Sequence, residues 1–500
     1  MNNSSRVLLN TAAQYIRTVF NVVLSVYSTR LILDSLGVED YGIYAVVAGV
    51  VAMLGFVSNA LVISTQRYLS FCHGQKEISK LKRVFANSLV IHILLGTGLF
   101  LVLTSLTNLV IVRFLDIPLD RINASKIVYC LVVLMIALSF VTSPFKALYV
   151  ARENIIYVSI VDIVNAALKL LSAVLIHYVL YDKLICYSLF LVCISIFDLL
   201  VYAVYAFFKF DECHFPRKAD IDYSYLKQLI AFASWTLYHN GCTVIRTQGV
   251  AVIINKYFGI VFNASFGIAQ QVNGALANVA QAIANAMSPQ IIKSEGSGDR
   301  KRMLHLAGIE SKYAFIMLTI VSVPFVFEIP FILKLWLGRI PENSVLFCRF
   351  IIIACLIDQI TIGLGIANQA IGKIRNYSLV FGSIKLLTLP LSLLCLYFSK
   401  NTIMVMVVFV AMELLSSVMR LILLHKTANL NIMAFVKKYI FPAVTTALLS
   451  TIVCFLLIRM MDWEYRILIM YFVSSIIILI TVFLTMSKEE KNIILKIVRK

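Results

Sequence analysis

Two apolar runs, residues 43–57 and 467–486, constrain this chain most, because neither alternates polar with apolar residues and the second is long enough to cross a bilayer. A backbone in hydrocarbon must satisfy its own hydrogen bonds. Unbroken runs leave the α-helix, rather than a barrel of alternating strands, as the way to do so. Composition extends this to the whole chain, which is 61% hydrophobic and 14% charged over 500 residues, with a mean hydropathy of +0.91. Soluble domains average about 45–50% apolar. At about 36 residues per span with its share of loop, about fourteen spans fit and little chain is left for a soluble domain. The expected fold class is all-α, a polytopic membrane protein with about 14 transmembrane helices.

Hydropathy read against charge and turn breaks predicts spans near residues 8–33, 41–66, 85–112, 127–150, 156–180, 184–208, 228–254, 262–290, 308–333, 345–370, 378–398, 403–424, 439–460 and 466–486. The first, seventh and eighth are the most polar. A cytoplasmic N-terminus puts about 28 of the 44 Lys and Arg on cytoplasmic loops and ends and about 11 outside, as the positive-inside rule requires. The strongest votes are Arg67, Lys76, Lys80, Lys82 and Arg83, then Lys293, Arg300, Lys301 and Arg302, then the tail with Lys488, Lys491, Lys496, Arg499 and Lys500. The net charge of +19 is therefore topological: it implies contact with membrane lipids and no nucleic-acid partner. Arg17 and Asn21 interrupt the first apolar stretch, which is expected to stay as a span rather than be cleaved as a signal peptide. The ten Cys lie singly and read as packing residues, without disulfide or metal.

The polar stretch 209–227 divides the chain. The expected organisation is a six-helix lobe (1–208), a cytoplasmic linker (209–227), a second six-helix lobe (228–424), two additional helices (425–486) and a basic cytoplasmic tail (487–500). A faint repeat supports two halves of equal orientation: Leu33-Asp34-Ser35-Leu36-Gly37 before Tyr41-Gly42 is similar to Asn255-Lys256-Tyr257-Phe258-Gly259 before Phe266-Gly267.

These motifs, with Thr29-Arg30-Leu31-Ile32-Leu33, Asp40-Tyr41-Gly42-Ile43-Tyr44 and Gln66-Arg67-Tyr68, carry a family resemblance over essentially the whole chain. It resembles the oligosaccharide flippases of the multidrug/oligosaccharidyl-lipid/polysaccharide (MOP) exporter superfamily. That resemblance implies two MATE-like lobes plus a C-terminal hairpin, and a location in the bacterial cytoplasmic membrane with both termini cytoplasmic. The implied substrate is an undecaprenyl-pyrophosphate-linked O-antigen or capsule repeat unit. The implied partners are that lipid-linked oligosaccharide, H+ or Na+ as a coupling ion, and a glycan polymerase with other assembly proteins. The last two helices are apolar enough to offer a groove to the polyprenyl tail.

Ionisable groups inside a span cost about 2.5–3.5 kcal/mol each and so face a cavity or a partner. Here the cations are Arg17, Lys169, Arg246, Arg349 and Lys385, and the anions Asp162, Asp198, Glu328, Asp358 and Glu413. Asn10, Gln14, Arg17 and Asn21 share one helix face by their steps of four, three and four. His239, Thr243 and Arg246 form a similar line, and Gln270, Gly274, Asn278, Gln281 and Asn285 another. These stripes are expected to line a substrate cavity, with Arg17 and Arg246 gripping phosphate, rather than merely to pack on neighbouring helices. Asp162, Lys169 and Asp198, and in the second half Asp358, Lys385 and Glu413, are expected to form lobe charge pairs or to couple an ion. Lys169 either lines the cavity or neutralises Asp198, and Lys385 meets either Asp358 or Glu413. Glu328, near Pro324 and Pro330, is expected to cap a broken helix.

Enzymatic chemistry is not expected. The longest loops are about a dozen residues on one side and fewer than about twenty on the other, too short for a folded catalytic domain. No phosphate-binding loop is present, and the Gly363-x-Gly365 pair is read as helix packing. No catalytic residue, cofactor or metal follows from the sequence. The rival functions are a MATE-type drug/cation antiporter, which usually needs a carboxylate in the first span, and a peptidoglycan-lipid flippase. A membrane glycan polymerase or ligase would need a large external loop.

Overall fold

A computed structural model of the chain describes residues 3–52, 55–114, 117–337, 340–461 and 466–486. It is 91% helix, with no strand among the described residues. The helices are α1 (Asn3–Ala52), α2 (Gly55–Gln75), α3 (Ile78–Ser105), α4 (Ile122–Ala151), α5 (Ile155–Leu175), α6 (Lys183–Lys209), α7 (Tyr223–Phe258) and α8 (Ile260–Gly296). There follow α9 (Arg300–Leu337), α10 (Ser344–Gln359), α11 (Ile362–Ile371), α12 (Ile374–Ser399), α13 (Thr402–Ala428), α14 (Ile432–Phe435), α15 (Phe441–Met460) and α16 (Arg466–Thr485). Among the described residues ten helices are long and apolar enough to cross a membrane, or eleven if α10 and α11, bent by 43°, count as one span. The protein is a multi-pass membrane protein, and large side chains left exposed, such as Leu94, Leu101, Phe472 and Leu484, are what lipid-facing helix surfaces carry.

Contacts divide the chain into two compact units, one of Leu9–Leu237 and one built from Tyr238 onward. In the first, α4 packs against α2, α3 and α6. Gly96 of α3 lets the helices close up, since a Cβ there would lie 3.0 Å from the Ala137 carbonyl oxygen. A ladder of tyrosines fixes the α4–α5–α6 contact. Tyr149 stacks on Tyr157, Tyr157 stacks on Tyr205, and the Tyr149 and Tyr157 hydroxyls donate to the Tyr202 and Val201 carbonyls at 2.9 Å. In the second unit α8 packs on α9, α10 and α11, and α15 and α16 pack on α9 and on each other. The Gly363 position is 2.1 Å from the Ala307 carbonyl oxygen when a Cβ is added, so this glycine serves close helix packing, as read from the sequence.

The repeat has a backbone counterpart. Gly37 (φ 79°, ψ 170°) breaks α1, and Gly259 (φ 89°, ψ −179°) separates α7 from α8. This conformation is almost confined to glycine. Just past Gly37, Asp40 is clasped by Arg121, whose Nε and Nη1 donate to Asp40 and Asp182 at 2.8 Å; Asp182 in turn caps α6.

Helices outrun the expected spans at several ends, so most of the basic residues expected in the cytoplasmic loops near 67–83 and 293–302 lie in helices instead, Lys80, Lys82 and Arg83 in α3 and Arg300, Lys301 and Arg302 in α9. Arg67, expected in a cytoplasmic loop, lies inside α2, buried against the rings of Tyr68, Phe71 and Phe232. Lys293 lies in the last turns of α8. The 209–227 stretch, expected as a linker, is docked on the first unit: Glu212 is fully buried in a two-pronged pair with Arg152 at 2.6 Å, and Asn87 binds the backbone of Asp220 and Asp222. The basic tail beyond residue 486 lies outside the described residues.

Candidate functional site

The polar stripe of α1 turns toward α5 and the turn before it. Asn10 donates to the Glu153 carbonyl at 3.1 Å, and Arg17 Nη1 pairs with Asp162 Oδ2 at 2.7 Å. Arg17, expected to grip phosphate, has its charge matched by Asp162 within its own unit. Gln14 and Asn21 each leave a buried amide oxygen without a hydrogen-bond partner.

Beside this pair opens a cavity of about 760 Å³, contained in the first unit. Its charged lining is Lys146, Asp162, Lys169 and Asp198, with Asn21, Asn165, several Ser and Thr hydroxyls and the rings of Tyr44 and Tyr187. Asp198 pairs with Lys146 at 3.0 Å and accepts from Asn165 at 2.6 Å. Lys169 lines this first-unit cavity. Counting Arg17, three cations meet two carboxylates here, and among the described residues no carboxylate lies within pairing distance of Lys169.

The second unit has a drier cluster. Glu413 of α13 receives both Arg246 of α7 and Lys385 of α12, each at 2.5 Å, and all three are buried. Arg246 therefore shares one carboxylate with Lys385, and its guanidinium lies 4.1 Å from the Phe409 ring centre. Asp358 pairs with Arg420, and this arginine also donates to the Asp358 carbonyl at 2.9 Å and to Thr361 at 3.2 Å. It thereby satisfies backbone freed at the α10–α11 break. His239 lies 5.6 Å from the Tyr377 ring and is not in the ion pairs. Here too three cations, Arg246, Lys385 and Arg420, meet two carboxylates.

On α8, Gln270 is half-buried, Asn278 and Gln281 are exposed, and Gln281 donates to Asn285 at 2.9 Å. Glu328 sits at the kink of α9 (φ −104°, ψ 16°), and Arg466, from the start of α16, donates to it at 2.5 Å. It ties the last hairpin to α9, a partner its sequence setting between two prolines did not disclose. Among the described residues no group of His, Cys, Asp and Glu could hold a metal ion.

No family model and no curated protein matches the sequence. Solved structures do match. A MATE protein in its bent conformation aligns with a TM-score of 0.74 at 12% identity, over 87% of this chain and 97% of that one. An outward-facing multidrug-resistance MATE transporter of the MOP superfamily aligns at 0.72 and 13%, with the same coverage. A MOP transporter from Pyrococcus furiosus, described as having a binding pocket of reverse polarity that suggests a different function, aligns at 0.70 and 11%, again with the same coverage. The chain has the MATE transporter fold. Within this fold the register of the two half-opening helices can be set from their glycines: Arg17 lies twenty residues before Gly37, and the residue twenty before Gly259 is His239, not Arg246. Arg246 sits two turns nearer its glycine and meets a different helix of its unit.

Four ionisable residues of the MATE-fold core escaped the sequence reading. Lys146 and Arg420 lie within expected spans, as do Glu310 and Lys312 of α9, both buried. Each lies within about four residues of an end of its expected span, unlike mid-span Lys169, so position alone did not set it apart from a loop-end charge.

Proposed function

We propose that this chain is an alternating-access flippase. It moves undecaprenyl-pyrophosphate-linked oligosaccharide across the bacterial cytoplasmic membrane for O-antigen or capsule assembly, and delivers it to a glycan polymerase. The supporting observation is the first-unit cavity, in which a one-charge cationic excess lies beside amides, hydroxyls and two tyrosine rings. Phosphate oxygens take the charge and sugar hydroxyls the hydrogen bonds. Because Arg17 is already matched by Asp162, the phosphate-facing role passes to Lys169. In the second unit, exposed Asn278 and Gln281 at mid-helix belong beside water rather than lipid and give α8 a polar face of its own. Lys169→Ala should leave insertion and melting unchanged while cutting surface glycan at least about tenfold, the worth of one charge-assisted hydrogen bond. Wild-type glycan export by that variant would sink the proposal.

A second reading, a MATE-type drug/cation antiporter, draws on Asp162, Asn165 and Asp198 facing the same cavity as potential cation ligands. It predicts drug resistance in sensitised cells that Asp198→Asn abolishes, with glycan export untouched. The flippase reading predicts no resistance from either protein. Rescue of cells depleted of their peptidoglycan-lipid flippase would favour that substrate instead.

A further inference from the structure

Two spans begin at a second cavity. It holds about 540 Å³ within the second unit, at the first turn of α9 and the segment leading into α15, and its charged lining is Asp299, Lys301, Arg302 and Lys438. Three cations thus face one carboxylate, and Asp299 is already engaged, accepting the Arg302 backbone N–H at 3.0 Å. Lys301, Arg302 and Lys438 are exposed and have no carboxylate within pairing distance among the described residues.

The floor of the cavity is built firmly. Residues Val436–Ile440 form a π-helical turn, a widened turn that recurs at functional sites. The turn leaves Lys437 and Lys438 exposed and buries Tyr439 against α9. The Tyr439 ring occupies the space over Gly308, where a Cβ would come within 2.4 Å of it. Its hydroxyl is hydrogen-bonded to His305 Nδ1 at 2.6 Å, and Phe435 packs on its ring at 5.1 Å. A packed aromatic floor with three exposed cations at the rim, Lys438 lying 5.6 Å from the Tyr439 ring centre, can take a phosphate group. Leu304, Leu430 and Phe435 add apolar lining suited to an amphiphile.

Depth completes the assignment. The membrane-length helices Arg300–Leu337 and Ile432–Met460 both start here, so the cavity opens at the polar ends of two apolar helices, within reach of lipid headgroups. We propose that this cleft binds the phosphate headgroup of an anionic membrane lipid. The site is separate from the first-unit cavity and does not depend on what the protein transports. Cationic clefts between helices at this depth suit such headgroups, each Lys or Arg near the membrane surface being worth enough that losing three weakens binding by at least about tenfold.

The test uses the full chain in detergent, with bound lipid counted by native mass spectrometry as dioleoyl phosphatidylglycerol, dioleoyl phosphatidylethanolamine or inorganic phosphate is added. Wild-type protein should prefer phosphatidylglycerol. The Lys301→Gln, Arg302→Gln, Lys438→Gln variant should lose at least about tenfold in affinity, while Lys301→Arg with Lys438→Arg keeps it. Equal loss in a control carrying Lys80→Gln, Lys82→Gln and Arg83→Gln would overturn the site, as would equal binding of both lipids. Displacement of the lipid by inorganic phosphate at matching concentration would overturn the lipid assignment. If the triple variant does not fold, Arg302→Gln read against Lys82→Gln supplies the same comparison.

Discussion

Glu413 joins two cations, and its burial decides what its loss does. Its side chain is 5% exposed, with Arg246 and Lys385 at 6% and 7%. Glu413→Gln leaves two buried cations facing a neutral amide, and breaking a buried pair from one side costs about 3–5 kcal/mol. The variant should melt well below wild type in detergent, and Glu413→Gln combined with Lys385→Met should recover part of the loss. The Arg17–Asp162 pair is different, with side chains 21% and 24% exposed beside an open cavity. Pairs exposed to that degree contribute about 0–1 kcal/mol. Asp162→Asn should therefore leave melting nearly unchanged while altering transport. If Asp162→Asn instead destabilises as strongly as Glu413→Gln, the first-unit charges are structural and the cavity loses its claim to function.

At the level of elements, the break after each half-opening helix rests on one glycine. A side chain at Gly37 or Gly259 meets no neighbouring atom within 4 Å, so only backbone strain opposes it. Ala at either position should cost about 1–3 kcal/mol, measured as lost thermal stability. Gly42→Ala, in a helix with equally open space, should be neutral or stabilising by about 0.5–1 kcal/mol. The glycines were legible in the sequence because the motif around Leu36-Gly37 repeats near Phe258-Gly259. The partners of the polar stripes were not. Spacing on one helix fixes a face, as for Asn10, Gln14, Arg17 and Asn21, but not which helix that face meets. Asp162 is 145 residues from Arg17, and Glu413 is 167 from Arg246. Arg420 was missed for a related reason: its task, satisfying a broken span at Asp358 and Thr361, exists only once α10 and α11 bend apart.

For the whole molecule, hydropathy is enough to find most of the spans, because each must satisfy its backbone alone, whereas the more polar α2, α7 and α8 fall below that measure and helix ends are set by packing beyond the apolar stretch. The extension of α2 to Gln75, which buries Arg67, is one such end. Orientation across the membrane remains the claim most open to direct measurement. If the basic turn Lys76–Lys80 faces the cytoplasm, Lys80→Cys should react with a membrane-impermeant maleimide in inverted vesicles and not in intact spheroplasts. Native Cys213, close by in sequence to the docked 209–227 segment's Glu212, will not obscure this reading. Burial, with the Glu212 carboxylate beside it, pushes its thiol up to about 12, so almost no thiolate exists at neutral pH. Labelling of Lys80→Cys from the outside alone would invert the topology. It would also move the cleft at Lys301 and Lys438 to the outer face, because an even number of spans separates the two sites in the fourteen-span scheme.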